Sequence, residues 1–232
     1  MRNTGIGKRL KSVAELIRRG AVLADIGTDH AYLPIYLLKN GGIARAFCSD
    51  INPGPLAKAR ENIEKSGLAD KTELCLTSGC IGTEEKGITD YAICGMGGEL
   101  IADIISASPH LRKKDIRLIL QPMTKPEHLR KFLWREGFVI ENEVFSSEEG
   151  KRYVAMQVSY VGEPQPFDEC DAWFGKCCAG WDKADSDKME YIAARAQILK
   201  KIADGKQSGG IDASAELDVL SEFYGKYGGM TL

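Results

Sequence analysis

Short apolar runs alternate with amphipathic stretches along residues 6–161, and this alternation limits the folds open to the chain. The apolar runs have the length of buried strands and occupy 21–26, 43–50, 72–76, 89–95 and 116–122, and two β-rich runs follow at 138–148 and 151–161. The amphipathic stretches predict helices at 6–19, 30–42, 53–67, 97–107 and 126–137. Because apolar strands joined by crossover helices pair in parallel, the pattern predicts an α/β fold with a mostly parallel sheet, extended by an antiparallel closing pair.

Residues 163–232 differ in character from the part before them. Segment 163–169 contains two prolines and predicts a linker. Beyond it, aromatic and aliphatic residues recur at helical spacing on both sides of a predicted turn at 204–214, which is typical of a helical hairpin with some coiled-coil character. We therefore predict two domains, residues 1–162 with the sheet and residues 163–232 with the hairpin.

Composition narrows the class of protein. No apolar stretch is long enough to span a membrane and the start lacks the apolar core of a signal peptide, so we expect a cytoplasmic protein without a membrane partner. The seven cysteines show no CxxC spacing, which argues against a disulfide framework and against a metal site. Nothing in the composition indicates an obligate protein partner. The net charge of −2 divides unevenly, since residues 163–232 carry eight basic and thirteen acidic residues.

The turn after the first predicted strand places ionisable residues where a ligand is expected. Asp25, Gly27, Asp29 and His30 follow one another there, at the carboxyl end of a buried strand. A dinucleotide would need glycines at three positions, and this turn has only Gly27. Two carboxylates repel phosphate and attract a cation. S-adenosylmethionine, which carries a sulfonium and an ammonium and no phosphate, fits this turn better than a dinucleotide does.

Asp50 adds a second observation at the same edge of the sheet. It ends the second predicted strand, 25 residues after Asp25, where a carboxylate can accept hydrogen bonds from both hydroxyls of a ribose. The alternative is an acid that only flanks the following helix. Together, the two strand ends indicate a nucleoside-containing, cationic ligand.

Five segments, in this order and spacing, resemble the TrmK family of bacterial tRNA adenine-N1 methyltransferases. They are LADIGTDHAYLP, SDINPGPLAKARENI, CGMGGELIADII, LILQPM and FLWREGFVIENEVFSSEEGKRYVAMQV. The resemblance covers about residues 8–160 and implies a class I methyltransferase domain, Rossmann-like with a seven-stranded sheet, followed by a helical hairpin. It also implies S-adenosyl-L-methionine as cofactor and adenine 22 of the tRNA D-arm as the target.

The same resemblance assigns the cofactor-binding residues to three groups. Those on the methionine side are Asp25, Gly27, Asp29 and His30. Those on the ribose and adenine side are Asp50 and Ile51, and those forming the floor near the transferred methyl group are Gly95, Met96 and Gly97. One turn departs from the family pattern: where members have a GDGL-like turn with an acid near the adenine, this chain reads SGCI, so that Ser78 or the backbone at Gly79 replaces the acid.

The expected chemistry needs little from the protein before methyl transfer. Adenine N1 has a free lone pair, so no base is required, but methylation leaves a positive base that a carboxylate can stabilise. We predict Asp29 as the catalytic residue; the alternative is that it only binds cofactor. Enzymes that methylate exocyclic amines resemble one another in an (Asn/Asp)-Pro-Pro-aromatic turn, whereas this chain has Cys-Gly-Met-Gly at 94–97, which favours the ring nitrogen.

Basic residues suggest how tRNA is held. We predict RNA contacts from the leading helix through Arg9, Arg18 and Arg19, and from the hairpin through Lys200 and Lys201. Charge runs are also commonly just solvated surface. Three alternatives stay open: a methyltransferase of the same fold with another substrate, an NAD-dependent oxidoreductase, disfavoured by the missing glycines, and a cofactor-free RNA-binding module.

Overall fold

The sheet has seven strands in the order β3-β2-β1-β4-β5-β7-β6. A computed structural model describes residues 5–176 and 185–227 of the chain. The strands are β1 (Ala21–Ile26), β2 (Ile43–Asp50), β3 (Thr72–Leu76), β4 (Asp90–Gly97), β5 (Arg117–Thr124), β6 (Phe138–Glu148) and β7 (Lys151–Tyr160). The first five pair in parallel, and β7 runs antiparallel between β5 and β6. The predicted mostly parallel sheet with an antiparallel closing pair is therefore confirmed.

Helices cover both faces of this sheet. One face carries α1 (Lys8–Leu16), α2 (Tyr32–Lys39) and α3 (Pro53–Lys65), which bury apolar residues such as Val13, Leu37 and Ile63. The other face carries α4 (Gly98–Ser106) and α5 (Pro126–Arg135), whose buried residues include Ile101 and Leu133. Two short 3-10 turns, Ala69–Lys71 and Pro109–Leu111, complete the connections. Apolar strands buried on both faces follow directly from this arrangement.

The remaining helices pack on the face that carries α4 and α5. They are α6 (Glu169–Phe174), α7 (Ser186–Ser208) and α8 (Ser214–Tyr227), and α7 lies against β6 and β7. The ring centroids of Phe145 on β6 and Tyr191 on α7 are 5.0 Å apart. The predicted helical hairpin is confirmed as α7 and α8. The division into two domains at residue 162 stays a prediction, since the hairpin shares one apolar cluster with the sheet.

The predicted turn at 204–214 was wrong in its first half. Helix α7 continues to Ser208 and ends at Gly209 and Gly210, of which Gly210 has a φ of +69°. A glycine inside a helix costs only about 1 kcal/mol relative to alanine. Burial of Leu199 and Ala203 and the 2.7 Å ion pair of Lys206 with Glu216 on α8 hold the helix through Gly205.

Among the described residues, Cys48, Cys75, Cys80 and Cys94 are free thiols. Cys177 and Cys178, and Trp181 of the predicted helical stripe, lie outside the described residues. Within residues 5–176 and 185–227, no helix combines the length and apolar character that crossing a membrane requires.

Candidate active site

The crevice between β1 and β4 is the position where the connections change sides of the sheet. The helices that follow β1 and β2 cover one face, whereas those that follow β4 and β5 cover the other. After the carboxyl ends of β1 and β4, the chain therefore turns towards opposite faces of the sheet, which leaves an opening between the two strand ends. Residues directly after Ile26 and around Gly95 line it.

Gly27 makes the turn out of β1 possible. Its φ is +75°, a conformation that favours glycine, and the N–H groups of Gly27 and Thr28 both donate to the Ser49 carbonyl, at 2.8 and 2.9 Å. A Cβ at this position would overlap the Cε of Met96. The absence of a side chain thus lets the turn and the end of β4 approach closely.

Two cavities meet at Gly27. The methionine-side cavity, about 350 Å³, is lined by Arg9, Leu10, Asp25, Gly27, Thr28, Asp29, His30, Ala31, Tyr32, Leu33, Cys94 and Gly95. The nucleoside-side cavity, about 240 Å³, is lined by Ile26, Gly27, Ser49, Asp50, Ile51, Asn52, Thr77, Ser78, Gly79, Met96, Leu100 and Ile104. The structure thus brings ten of the eleven predicted cofactor residues together around one opening. The predicted methionine-side and nucleoside-side groups line separate cavities, whereas the predicted floor group is divided between them, with Gly95 in the first and Met96 in the second.

Gly97 is the predicted residue that lines neither cavity. A Cβ on Gly97 would lie 3.2 Å from the Thr124 hydroxyl of β5, and one on Gly98 would overlap the Lys125 carbonyl. Because these two glycines lack side chains, α4 can begin close to the β5–α5 turn. Gly97 therefore has a packing role and does not line the opening.

Asp25 is a buried carboxylate with no basic side chain paired to it among the residues the structure describes. The Thr28 hydroxyl donates to its Oδ2 at 2.6 Å. Burial raises the pKa of Asp25 to about 6, and the hydrogen bond from Thr28 opposes that rise. Burial, together with the negative charge of Asp25, also raises the pKa of the Cys48 and Cys94 thiols. An unpaired acid facing a cavity suits a cationic ligand group.

Asp29 and His30 form the outer wall of the methionine-side cavity. The Asp29 carboxylate is 69% exposed and lies 3.1 Å from the His30 Nε2. The His30 ring stacks on Tyr32 at 5.0 Å, and Ala31 between them has a left-handed φ of +56°. The Asn62 side chain donates to the His30 carbonyl at 3.0 Å and holds the turn to α3.

Asp50 ends β2 at the mouth of the nucleoside-side cavity. Its Oδ1 accepts the backbone N–H of Asn52 at 2.7 Å. Opposite it, the turn that departs from the family pattern is closed by Thr83, whose hydroxyl donates to the Cys80 carbonyl at 2.6 Å. Gly79 in that turn has a φ of +55° and lines the cavity with Ser78. The altered turn is therefore an ordered wall without a carboxylate.

Sequence reasoning missed a polar contact that crosses the crevice. Arg9, which we predicted as an RNA contact, lines the methionine-side cavity and donates to the Gln121 Oε1 at 2.7 Å. Gln121 is fully buried on β5. A glutamine within the apolar run LILQP was the signal that this strand carries a polar contact. Thr28 was missed as well, because only the turn geometry brings its hydroxyl to Asp25.

The five predicted RNA contacts do not form one surface. Helix α1 runs antiparallel to β1, so that Arg9 at its start lies at the carboxyl edge of the sheet while Arg18 and Arg19 follow its end at the amino edge. There Arg18 is ion-paired with buried Asp90 at 2.7 Å and donates to the Asp115 carbonyl. Lys200 and Lys201 are exposed on α7. Of the three residues predicted to contact RNA from the leading helix, only Arg9 lies at the carboxyl edge, and the guanidinium of Arg18 has a structural contact.

Comparison with known proteins agrees with this geometry. A family model described as a methyltransferase domain matches residues 6–156. The tRNA (adenine(22)-N(1))-methyltransferase of Bacillus subtilis (strain 168) is 41% identical over 154 residues, which make up 66% of this chain and 64% of that protein. The aligned region therefore spans slightly less than two thirds of that relative.

Solved structures match over more of the chain. The crystal structure of the B. subtilis m1A22 tRNA methyltransferase TrmK has a TM-score of 0.79 at 30% identity and covers 95% of this chain and 94% of that one. Streptococcus pneumoniae Sp1610, solved in complex with S-adenosyl-L-methionine, has a TM-score of 0.79 at 32% identity over 93% of this chain and all of that chain. The fold, the crevice between β1 and β4 and these matches together establish that the chain belongs to the TrmK family of methyltransferases.

Proposed function

We propose that this chain transfers a methyl group from S-adenosyl-L-methionine to N1 of an adenine in tRNA, at position 22. The observation that carries the proposal is the buried, unpaired carboxylate of Asp25 beside Gly27, with Asp50 at the neighbouring strand end. The name of the B. subtilis relative and the S-adenosyl-L-methionine complex of Sp1610 support the same reaction.

The two cavities suit the two halves of the cofactor. Asp25 offers a negative charge to the cationic methionine end, and Asp50 accepts hydrogen bonds from ribose hydroxyls. Ile51, Leu100 and Ile104 offer apolar contacts to an adenine ring, and Ser78 and Gly79 replace the missing acid. When bound, the cofactor supplies an electrophilic methyl group on a sulfonium.

The residues around the opening have modest chemical tasks. The walls of the methionine-side cavity hold the attacking ring nitrogen close to the methyl group, which accounts for much of the rate of an in-line displacement. The exposed Asp29 carboxylate, kept in place by His30, stabilises the positive charge that develops on the base. The Cys-Gly-Met-Gly end of β4 offers no Pro-Pro turn for an exocyclic amine.

A tRNA substrate also implies the cellular location of the chain and the residues that contact RNA. We place it in the bacterial cytoplasm, where tRNA is modified, and we assign RNA contacts to exposed Lys200 and Lys201 on α7, and to Arg9 at the rim of the methionine-side cavity. We no longer include Arg18, whose guanidinium is paired with Asp90. Arg19, exposed at the amino edge, keeps a contact only if RNA wraps around that edge.

Incubation with labelled cofactor and two tRNA transcripts tests the reaction. One transcript has adenine at position 22 and the other has guanine there. We expect methylation of the first only, with a reverse-transcription stop at position 22 from the 1-methyladenosine. Equal labelling of both transcripts would contradict the assigned position.

Calorimetry separates the competing functions. A cofactor-free RNA-binding module would release no heat with millimolar S-adenosylmethionine, whereas a methyltransferase with another substrate would bind the cofactor and leave both transcripts unlabelled. Mass spectrometry of tRNA nucleosides from cells with and without the gene then tests for loss of 1-methyladenosine.

A further inference from the structure

A separate cleft opens at the carboxyl edge of the sheet, between strands β5 and β7 on one side and helix α7 on the other. We call it the hairpin cleft; its cavity measures about 570 Å³. Three segments form it: the β5–α5 turn at 122–127, the β6–β7 turn at 150–154, and α7 with Trp173 of α6. None of the residues predicted to bind cofactor lines it.

Arg195 in the wall of the hairpin cleft has an unused hydrogen-bond donor. Its side chain is only 9% exposed, its Nη2 is ion-paired with Glu127 at 2.6 Å, and its guanidinium lies 4.5 Å from the centroid of the Trp173 ring. The Nε is buried and has no hydrogen-bond partner within the described residues. The guanidinium is therefore held in the wall of the cleft by Glu127 and Trp173, with one buried donor left over.

Apolar and basic side chains share the cleft. Met123, Ile198 and Ile202 line it and are 42%, 44% and 39% exposed, which is unusual for three large apolar residues on one concave surface. The basic lining residues are Lys125, Lys151, Arg152 and Arg195, and the acidic one is Glu127. Of these, Lys125, Arg152 and Arg195 are ion-paired with Glu99, Glu190 and Glu127. Within the described structure the cleft therefore keeps the positive charge of Lys151 above an apolar floor.

The cleft adjoins the methionine-side cavity. Strand β5 pairs with β4, so Gln121, next to Pro122 at the rim of the cleft, lies beside Cys94, which lines the methionine-side cavity. Tyr153 lines the cleft, and the guanidinium of Arg9 in the methionine-side cavity lies 5.8 Å from the Tyr153 ring. A chain of nucleotides entering one opening thus passes the other.

We propose that the hairpin cleft binds an unpaired nucleotide of the same tRNA, a neighbour of the adenine that is methylated. Its base packs on Met123, Ile198 and Ile202, and its phosphate oxygens accept hydrogen bonds from exposed Lys151. A concave, apolar floor suits an unstacked base and cannot be filled by the regular backbone of an RNA duplex. The net positive charge of the cleft favours a negatively charged partner such as RNA. An acidic protein surface would need no apolar floor, whereas an unstacked base does. This inference rests on the proposed function.

Two exposed positions test the cleft without disturbing the fold. The double variant Lys151→Ala/Ile198→Ser removes one charge and one apolar contact. Its matched control is Lys71→Ala/Ile211→Ser, which alters an exposed lysine at the amino edge and an exposed isoleucine at the α7–α8 turn. We expect the Kd for tRNA to rise about tenfold in the cleft variant and the slope of log Kd against log salt to fall by about one.

Readouts beyond tRNA affinity distinguish the possible failures. The affinity for S-adenosylmethionine and the melting temperature should match wild type in both double variants. Unchanged tRNA affinity and methylation rate in the cleft variant would overturn the cleft proposal alone. A wild-type chain that binds cofactor but methylates no tRNA would instead overturn the proposed function.

Crosslinking locates the bound nucleotide directly. With p-benzoylphenylalanine in place of Ile198, irradiation with tRNA should give an adduct whose reverse-transcription stop lies within a few nucleotides of the methylated adenine. The same substitution at Ile211 is the control. A stop in a distant arm of the tRNA would contradict the proposal, as would adducts formed in cells with protein and not with RNA.

Discussion

Asp25 and Asp90 are both buried aspartates on adjacent parallel strands, at opposite edges of the sheet. Asp90 begins β4 and is compensated from within the protein: Arg18 donates to it from its Nε at 2.8 Å and from its backbone N–H at 2.9 Å. Asp25 lies near the end of β1 and accepts a hydrogen bond from the Thr28 hydroxyl. The same residue type thus has a cationic partner at the amino edge and, among the described residues, none at the carboxyl edge.

This difference separates a structural acid from a binding acid. A buried charge is tolerated where its partner is part of the fold, and removing the partner then destabilises the protein. Where the fold supplies no cation, the carboxylate stays costly until a ligand brings one. A cationic ligand therefore gains at Asp25 the interaction that Arg18 already provides at Asp90.

Removing the partner of Asp90 should have the largest effect. Arg18→Ala leaves a buried carboxylate without its guanidinium, and we expect the free energy of unfolding to fall by about 3 to 5 kcal/mol. Urea denaturation measures it, with Arg19→Ala, an exposed neighbour, as the control. The affinity of the folded variant for S-adenosylmethionine should be unchanged. A selective loss of that affinity would contradict the distinction between Asp90 as a structural acid and Asp25 as a binding acid.

The stability cost of Asp25 should depend on pH. Burial raises the pKa of Asp25 from its ordinary value of 3.8 to about 6 in the folded protein, so that between these values the folded state binds more protons than the unfolded state. Stability therefore falls as pH rises through this window, in total by about 3 kcal/mol. Asp25→Asn should lack this loss and be the more stable form at pH 8 without cofactor. If the free energies of unfolding of wild type and variant changed in parallel from pH 4.5 to 8, burial of the ionised Asp25 carboxylate would have no stability cost.

The same substitution should weaken cofactor binding. We expect Asp25→Asn to lower the affinity for S-adenosylmethionine about 30-fold at pH 8, in line with the loss of a charged hydrogen-bond partner worth about 2 kcal/mol. Calorimetry measures it, and Asp70→Asn, an exposed acid at the amino edge, is the control. Wild-type affinity should also decline below about pH 6, where Asp25 becomes protonated. Affinity that is independent of pH in wild type would count against the contact.

The smallest expected effect concerns Asp29, which is exposed where Asp25 is buried. With saturating cofactor and tRNA, Asp29→Asn should lower kcat about tenfold, because water partly replaces an exposed carboxylate in stabilising the charged base. Single-turnover methylation measures the chemical step. Full turnover in the variant would assign Asp29 to cofactor binding alone.

Local features of the fold were predictable from sequence. The strands at 21–26, 43–50, 72–76 and 138–148 have the predicted bounds. The first three are mainly apolar runs of strand length, and the fourth is a β-rich run between Gly137 and the turn at Gly150. The clustering of the residues that we predict to bind cofactor was predictable for a similar reason, since parallel strands place their carboxyl ends at one edge.

Features that depend on how a helix is oriented and packed in the tertiary structure were not predictable. Spacing predicted that α1 is amphipathic, but it carries no information on which end of α1 meets which edge, so Arg9 and Arg18 were assigned to the same surface. The continuation of α7 through Gly205 depends on contacts with α8, and the hairpin cleft depends on where α7 packs.

The burial of the Arg130–Glu143 ion pair has a consequence for synthesis on the ribosome. This pair joins α5 to the outer strand β6 at 2.7 Å, and it is closed by the Tyr191 hydroxyl of α7 and the Ala172 carbonyl of α6. A nascent chain that has emerged only as far as β7 must therefore keep both charges hydrated and the Phe145 face of β6 exposed. We expect the sheet to complete its folding only after α7 has left the exit tunnel, and the exposed apolar face of β6 to be open to chaperones during that interval.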